Sequence, residues 1–453
     1  MNDARSLSLS QKLLYACGQG GNVIGDTLIQ TFLLRFYLPP GEQGLLPDTI
    51  LGVLPAWVAI NLFARFVDAV ADPVVAARSD ASRHRMGRRR VFMAYGVLPL
   101  AVSTAAVFFP PDTSSPQMSN FAFLLAAYSV YFVAFTVYVA PYLALLPDIA
   151  QSVKERTDLS TLQAIAAIAG ASLPGMVGPI VFFTKDGVFR DEMPALAVAM
   201  SALSLLLMLL PIAWVREPQL ARGDDDTDAP PAGVWTSVRA SLDELRITLQ
   251  DPHFRWYLIG TVAFFFAFNL VRAAAPYYVE VLMRRPLEEL GLLMAATFGT
   301  AFVGFFVVNP VALAFGHRKV MLVSALLLAV VLGFTPVVDN PTHGYVLMAL
   351  VGLPIAALLS VPNAMLANIS AAHAKREGVK REAMFFGAQG FFMKVNLGVS
   401  SAALGLLLST MGNSVGDDLG VRLSGPMGSV VLVFAAFAFS QYTAPDVDVE
   451  VPS

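Results

Sequence analysis

A chain of 453 residues that is 56% hydrophobic and only 14% charged cannot carry an ordinary soluble surface, since soluble domains hold about 25% charged residues. The net charge of −3 says nothing about partners, because charge in so apolar a chain is read loop by loop, and the single cysteine, Cys17, excludes disulfides and cysteine-rich metal sites. Mean hydropathy is +0.64. Apolar runs recur from end to end, each long enough to cross roughly 30 Å of hydrocarbon as a helix of about 20 residues. The composition predicts an all-α membrane protein.

In chain order the runs predict twelve spans: about 12–37, 48–77, 91–109, 119–147, 159–184, 192–215, 255–282, 288–314, 319–338, 344–369, 382–410 and 425–442. The polar N-terminus runs straight into the first span, so no cleavable signal peptide is expected. The interruptions after even spans are basic, with Arg83, Arg85, Arg88, Arg89 and Arg90, then Arg318 and Lys319, then Lys375, Arg376, Lys380 and Arg381. Those after the first and third spans, "PPGEQGLLPDT" and "PPDTSSPQMSN", have no lysine or arginine. Lys185 with Arg190, and Arg284 with Arg285, run against the trend, but the excess places both termini in the cytoplasm. The expected location is the cell's inner or plasma membrane.

The longest polar stretch divides the chain. We expect a six-helix bundle over 1–215, a cytoplasmic linker over 216–254, a second six-helix bundle over 255–443 and a tail over 444–453. Within the linker, "RGDDDTDAPPAG" is acidic and rich in Pro and Gly, and "VWTSVRASLDELRITLQD" reads as a short amphipathic surface helix. The halves echo one another. "MGRRRVFM" (86–93) returns as "FGHRKVML" (315–322), and "APYLALLPDIA" returns more weakly as "VPNAMLANIS". Two repeated six-helix halves form the transporter design in which substrate binds near the midplane.

The second span contains "ARFVDAVADPV", with Arg65, Asp68 and Asp72 close together. Asp68 and Asp72 are four residues apart and share a helix face, with Arg65 near it. Facing lipid would cost roughly 2.5–3.5 kcal/mol per charge, so they belong in the bundle interior or a watered cavity. Two carboxylates one turn apart suit a small hard cation that takes oxygen ligands, or a site in which one of them holds a proton. The same spacing also suits a structural arrangement in which Asp68 pairs with Arg65 and Asp72 precedes Pro73 as a capping element. Asp80, in the following loop, fits better as a pin between loop and helix end.

"ARFVDAVADPVVAARSDASRHRMGRRRVF" resembles the second-helix signature of the glycoside–pentoside–hexuronide:cation symporters. These are a branch of the major facilitator superfamily that includes the melibiose permease and shares its architecture with sodium-dependent lysolipid symporters. The resemblance continues in "KLLYACGQGGN", "APYLALLPDIAQSVKERTDLS" and "REAMFFGAQGFFMKVNLG", in order along the chain. It implies the major facilitator fold, twelve helices in two pseudo-symmetric bundles, working by alternating access with Na⁺, Li⁺ or H⁺ as coupling ion.

Carried over residue by residue, the resemblance makes Asp68 and Asp72 the cation-site carboxylates. Thr136 becomes a hydroxyl that helps hold the ion, and Lys394 the lysine near the coupling site. Three positions depart. Val23 and Val139 stand where sugar-transporting members carry aspartates, and Gln163 where they carry an arginine. The groups that would hold sugar hydroxyls are gone, so a simple glycoside is not the expected cargo. Asp26, three residues beyond Val23, stays on nearly the same face. Arg272, alone in the seventh span, needs a partner or a polar cavity: either an ion pair with Asp26 or the cargo would serve. Tyr138 and Tyr142, and Phe391 with Phe392, either line a cavity or pack. Arg272 and Lys394 favour a cargo with an acidic group, whereas Val23 and Val139 favour a less polar one. We expect Lys394 to serve as a counter-charge to Asp68 and Asp72, released when the cation binds; direct contact with an acidic cargo is the other role it could fill.

These features make the chain a monomeric cation-coupled symporter of a small organic solute, needing the bilayer, no nucleic acid and no cofactor beyond the coupling ion. Transport of a lysolipid or other amphiphile is the alternative cargo, and a non-transporting assembly protein of the same fold is the alternative class. A membrane prenyltransferase would need a second acidic cluster for its metal, and "FFVVNPVALAFGHRK" in the other half has no acid.

Overall fold

Helices dominate because the bilayer leaves backbone N–H and C=O groups no other partner. The computed structural model describes residues 7–443 except 51, 53, 81, 83, 151–152, 185–187, 216–238, 240–242, 244 and 378–381. Helices α1 (Leu9–Tyr37), α2 (Ala56–Asp80), α3 (Arg90–Ala106), α4 (Met118–Ile149), α5 (Val153–Ser172) and α6 (Phe189–Trp214) come from the first half of the chain. Helices α7 (Pro252–Tyr277), α8 (Leu290–Phe315), α9 (His317–Gly333), α10 (Pro341–Glu377), α11 (Glu382–Met411) and α12 (Leu419–Gln441) come from the second. Among the described residues, nine helices are long and apolar enough to cross a membrane. The other three are α1, whose glycines and Asp26 dilute its hydrophobicity, the charged α2, and α3, which has only 17 residues.

Several boundaries differ from the sequence expectation. The second span begins at Ala56 rather than near 48, because Thr49–Ile50 and Leu54–Pro55 pair as two short antiparallel strands, β1 and β2. α5 passes through a π turn, Leu173–Val177, into a last turn ending at Phe182; Pro174 lacks the N–H for a regular ladder there. α12 starts at Leu419, six residues earlier than expected, and carries Pro426 within it. The linker expected over 216–254 falls mainly outside the described residues, and so does the tail; Leu245–Thr248 is helical. The side chain of Asp80, the expected loop pin, is also outside them.

The chain forms two compact units. One comprises 1–37, 44–47 and 63–241, the other 38–43, 48–62 and 242–453. In the first, α1 packs on α5 and α6, and α3 on α4 and α6; in the second, α7 packs on α11 and α12, and α8 on α10. The sequence repeat is visible inside each unit. Gly87 (φ 113°) and Gly316 (φ 86°) both turn the chain into the following helix with left-handed backbone that favours glycine. Arg90 Nε then donates to the Ile212 carbonyl at 3.1 Å, and Arg318 Nε to the Phe439 carbonyl at 3.2 Å, each satisfying a helix C-terminus. Likewise the Tyr15 hydroxyl donates to the Tyr142 carbonyl at 2.8 Å, and the Tyr257 hydroxyl to the Pro362 carbonyl at 2.9 Å.

Ion pairs fix the ends of the helices. Asp148, at the end of α4, meets Arg88 at 3.1 Å and Arg89 at 2.8 Å, holding the α2–α3 turn. Asp251 caps α7 by accepting from the His253 and Phe254 N–H groups at 2.8 and 3.1 Å, and Pro252 fills the first helical position.

Candidate functional site

The sequence places Asp68 and Asp72 on one face of α2, and the fold turns that face to α4. Thr136 Oγ1 lies 3.0 Å from Asp68 Oδ1 and 2.9 Å from Asp72 Oδ1. Its one proton can serve either carboxylate, so three oxygens from two helices converge on one point. Asp68 and Thr136 are each only 1% exposed, while Asp72 is half-buried. Arg65 Nη1 stands 3.5 Å from Asp68 Oδ2, and its guanidinium lies 4.1 Å from the centre of the Phe132 ring. That face contact suits a cation withdrawn from water. Phe132 was missed by sequence reasoning, although it lies one turn before Thr136 on the same face.

Arg65 partly neutralises Asp68 from one side. The donor set is two carboxylates and a hydroxyl, all hard oxygen ligands of the kind that small cations take.

Of the residues at which the sequence departs from the sugar-transporting pattern, Val23 lies on α1 and Val139 on α4. α1 is largely buried, but Gln19, Val23, Asp26 and Gln30 form a half-buried stripe at helical spacing. Gln30 Nε2 donates to Asp26 Oδ1 at 3.5 Å, so this stripe keeps a carboxylate one turn from Val23. Val139 on α4 is half-buried as well.

Tyr142 and Gln163 are brought together elsewhere in the unit. Gln163 Nε2 donates to the Tyr142 hydroxyl at 3.1 Å, and that hydroxyl donates to the Tyr15 carbonyl at 2.8 Å. Tyr142 is fully buried and stacks on Tyr15 with ring centres 4.7 Å apart. Tyr138 is also fully buried and donates to the Met208 carbonyl at 3.0 Å. In this structure both tyrosines fasten helices together.

The second unit holds Arg272 and Lys394. Arg272 is half-buried in a buried stretch of α7, its guanidinium 5.9 Å from the Phe268 ring centre. Lys394 on α11 is half-buried and follows Phe391 and Phe392, whose rings meet edge to face at 5.5 Å.

Residues 14–437 match the family model described as MFS/sugar transport protein. An uncharacterized symporter of Bacillus subtilis, YjmB, is 21% identical over 421 residues, covering 90% of this chain and 84% of its own. The isoprimeverose transporter of Lactiplantibacillus pentosus is 23% identical over 89% of this chain and 80% of its own. The match to a Synechocystis symporter, sll1374, is 26% identical but spans only 37% of that protein and 46% of this one. Among solved structures, the inward-open xylose transporter XylE from E. coli superposes with a TM-score of 0.67 at 14% identity, covering 96% of this chain and 97% of that one. The nucleoside transporter NupG gives 0.66 at 14% identity, covering 96% and 100%. At such identity the structures speak to fold alone, and the fold they share is the major facilitator fold.

Proposed function

The chain belongs to the MFS/sugar transport protein family, and from that premise we propose that it couples a cation to a small organic solute through Asp68, Asp72 and Thr136. It is a secondary transporter of the major facilitator symporter kind, a multi-pass membrane protein and not an enzyme. The observation that supports the cation site is the Thr136 hydroxyl within 3.0 Å of one oxygen of each carboxylate. Two carboxylates so placed repel each other, and a cation held among their oxygens relieves that repulsion, which makes closure of an alternating-access cycle favourable only when the ion is present. Na⁺ suits the oxygen set, and Li⁺ or a proton on one carboxylate would act through the same groups.

On this reading the Val23, Asp26 and Gln30 stripe of α1 and Val139 of α4 serve the cargo within the first unit, and Arg272 and Lys394 are the candidates within the second. Val23 and Val139 offer no acceptor to a sugar hydroxyl, so the cargo is not a simple glycoside, and the two cations favour an acidic group on it. The protein works as a monomer in the cell's inner or plasma membrane, both termini in the cytoplasm.

The decisive experiment is uptake into proteoliposomes from a mixed solute pool, with and without a Na⁺ gradient and then with a proton gradient. Wild type should concentrate a solute only with its coupling ion. Asp68→Asn and Asp72→Asn should each abolish concentrative uptake while the protein remains folded and inserted. Accumulation against a gradient by both variants would show that the ion binds elsewhere.

A further inference from the structure

The two units share a repeat, and at one helix pair they differ. In the first unit α1 and α5 touch through Gly20 and Gly170: a methyl group on Gly170 would collide with the Gly20 carbonyl. Small residues of this kind let membrane helices approach closely. Matching Tyr15 to Tyr257, which make equivalent hydroxyl-to-carbonyl bonds, places Val262 at the level of Gly20. Gln163 and Gln389 each bond a buried tyrosine, and matching them places Asn396, with Val395 beside it, at the level of Gly170. Larger side chains therefore stand in the second unit where glycines stand in the first.

Between α7, α11 and α12 lies an open groove of about 570 Å³, with almost wholly apolar walls that include Leu258, Val262, Phe266, Phe392, Val395 and Phe434. Small amphiphiles occupy pockets of ~300–1,000 Å³. Arg255 lines one end; it is exposed, and its guanidinium makes no ion pair or hydrogen bond among the described residues. Its neighbour Trp256, near the start of α7, packs edge-on against Phe437 at 6.1 Å, and tryptophans are enriched where hydrocarbon gives way to headgroups. From Arg255 to Phe266 the groove follows α7 for eleven residues. That is roughly 16 Å at ~1.5 Å per residue, about half of a ~30 Å hydrocarbon core.

The groove is thus the length of one leaflet, apolar along its course and positive at its headgroup end. We infer that it holds one acyl chain of an anionic phospholipid whose phosphate is met by Arg255. A zwitterionic lipid fills the same groove but adds no net charge to the Arg255 contact. This site lies wholly within the second unit and is independent of the cation and cargo groups.

Native mass spectrometry of the full-length protein tests it, with phosphatidylglycerol and phosphatidylcholine of identical acyl chains. Phosphatidylglycerol should be retained about fivefold better, the scale of one basic residue facing an anionic lipid. Arg255→Gln should bring it down to the phosphatidylcholine level, and Val262→Trp, which fills the groove, should lower retention of both. Val430→Trp, on an exposed face of α12 outside the groove, should leave retention as it was. Should Val262→Trp fail to fold, the Arg255→Gln comparison decides alone. Equal retention of the two lipids by wild type, or phosphatidylglycerol retention that Arg255→Gln leaves intact, overturns the inference. A dimer that Val262→Trp dissociates would also overturn it, by showing a second copy to be the occupant.

Discussion

The Thr136 hydroxyl on α4 lies 2.9 Å from Asp72 Oδ1 on α2, joining the two helices inside the first unit. No backbone bond links these helices at that point, so side-chain oxygens set their register there. A group bound among those oxygens therefore acts on the packing of α2 against α4.

Thr136→Val keeps the shape of the side chain and removes its oxygen. The protein should fold and insert, and the ion concentration for half-maximal uptake should rise about 10- to 150-fold, the scale of one lost hydrogen bond to a charged group, ~1.5–3 kcal/mol. Thr136→Ser should restore most of it. An unchanged ion dependence in the valine variant would remove Thr136 from the site.

Common galactosides and glucosides should bind poorly. A buried site that hydrogen-bonds a hydroxyl discriminates strongly, and Val23 and Val139 have nothing to offer one. Calorimetry with melibiose or lactose measures this directly, and tight binding of either would contradict the reading of these two positions.

How much of this was legible in the sequence follows from which interactions are local. Asp68 and Asp72 share a face because they are four residues apart, and that spacing survives any arrangement of the helices. Their meeting with Thr136 was suggested by family resemblance, since nothing within α2 says which helix it faces. Asp148 has no basic neighbour within its own helix, and only the fold brings it to Arg88 and Arg89. Tyr142 was open to two readings because burial and cavity lining look alike at helical spacing; its bond to the Tyr15 carbonyl depends on a residue 127 positions away. The start of α2 was misplaced for a local reason. "TILGVLP" is apolar enough to extend a span, yet its ends pair as strands, a choice hydropathy does not record.

Lys394→Gln separates two roles. If Lys394 is a counter-charge to the ion-binding carboxylates, uptake should lose its dependence on the ion gradient while the substrate KM changes little. If it binds an acidic group of the cargo, KM should rise about tenfold or more, the scale of a lost charged hydrogen bond of ~1.5–3 kcal/mol, with ion dependence intact. Transport assays at varied ion and solute concentrations distinguish these outcomes. Wild-type behaviour in both would make the residue structural.

Asp251 supplies a prediction about acid stability. Partial burial alone would raise its carboxyl, but the Phe254 and His253 N–H groups, with Arg376 and His373, outweigh that and hold it below the usual 3.8. Arg376 Nη2 is 2.8 Å and His373 Nδ1 3.5 Å from the same Asp251 oxygen, so one carboxylate joins the start of α7 to the end of α10. A carboxylate depressed in the folded state stabilises it above the unfolded pKa and loses that contribution as pH falls through the lower folded value. Asp251→Ala should therefore lower the melting temperature at pH 7, by the ~0.5–2 kcal/mol typical of a lost helix cap. The Arg376 contact adds little, because that arginine is half exposed and its pairing is screened by solvent. Asp251→Asn retains a capping oxygen without the charge, so its deficit should be smaller at pH 7. That deficit should shrink further as pH falls from the usual 3.8 through the lower folded value, where the native carboxylate takes up a proton. Melting curves of the three proteins in detergent from pH 7 to pH 3 check this order, and an asparagine deficit that grows on acidification would contradict it.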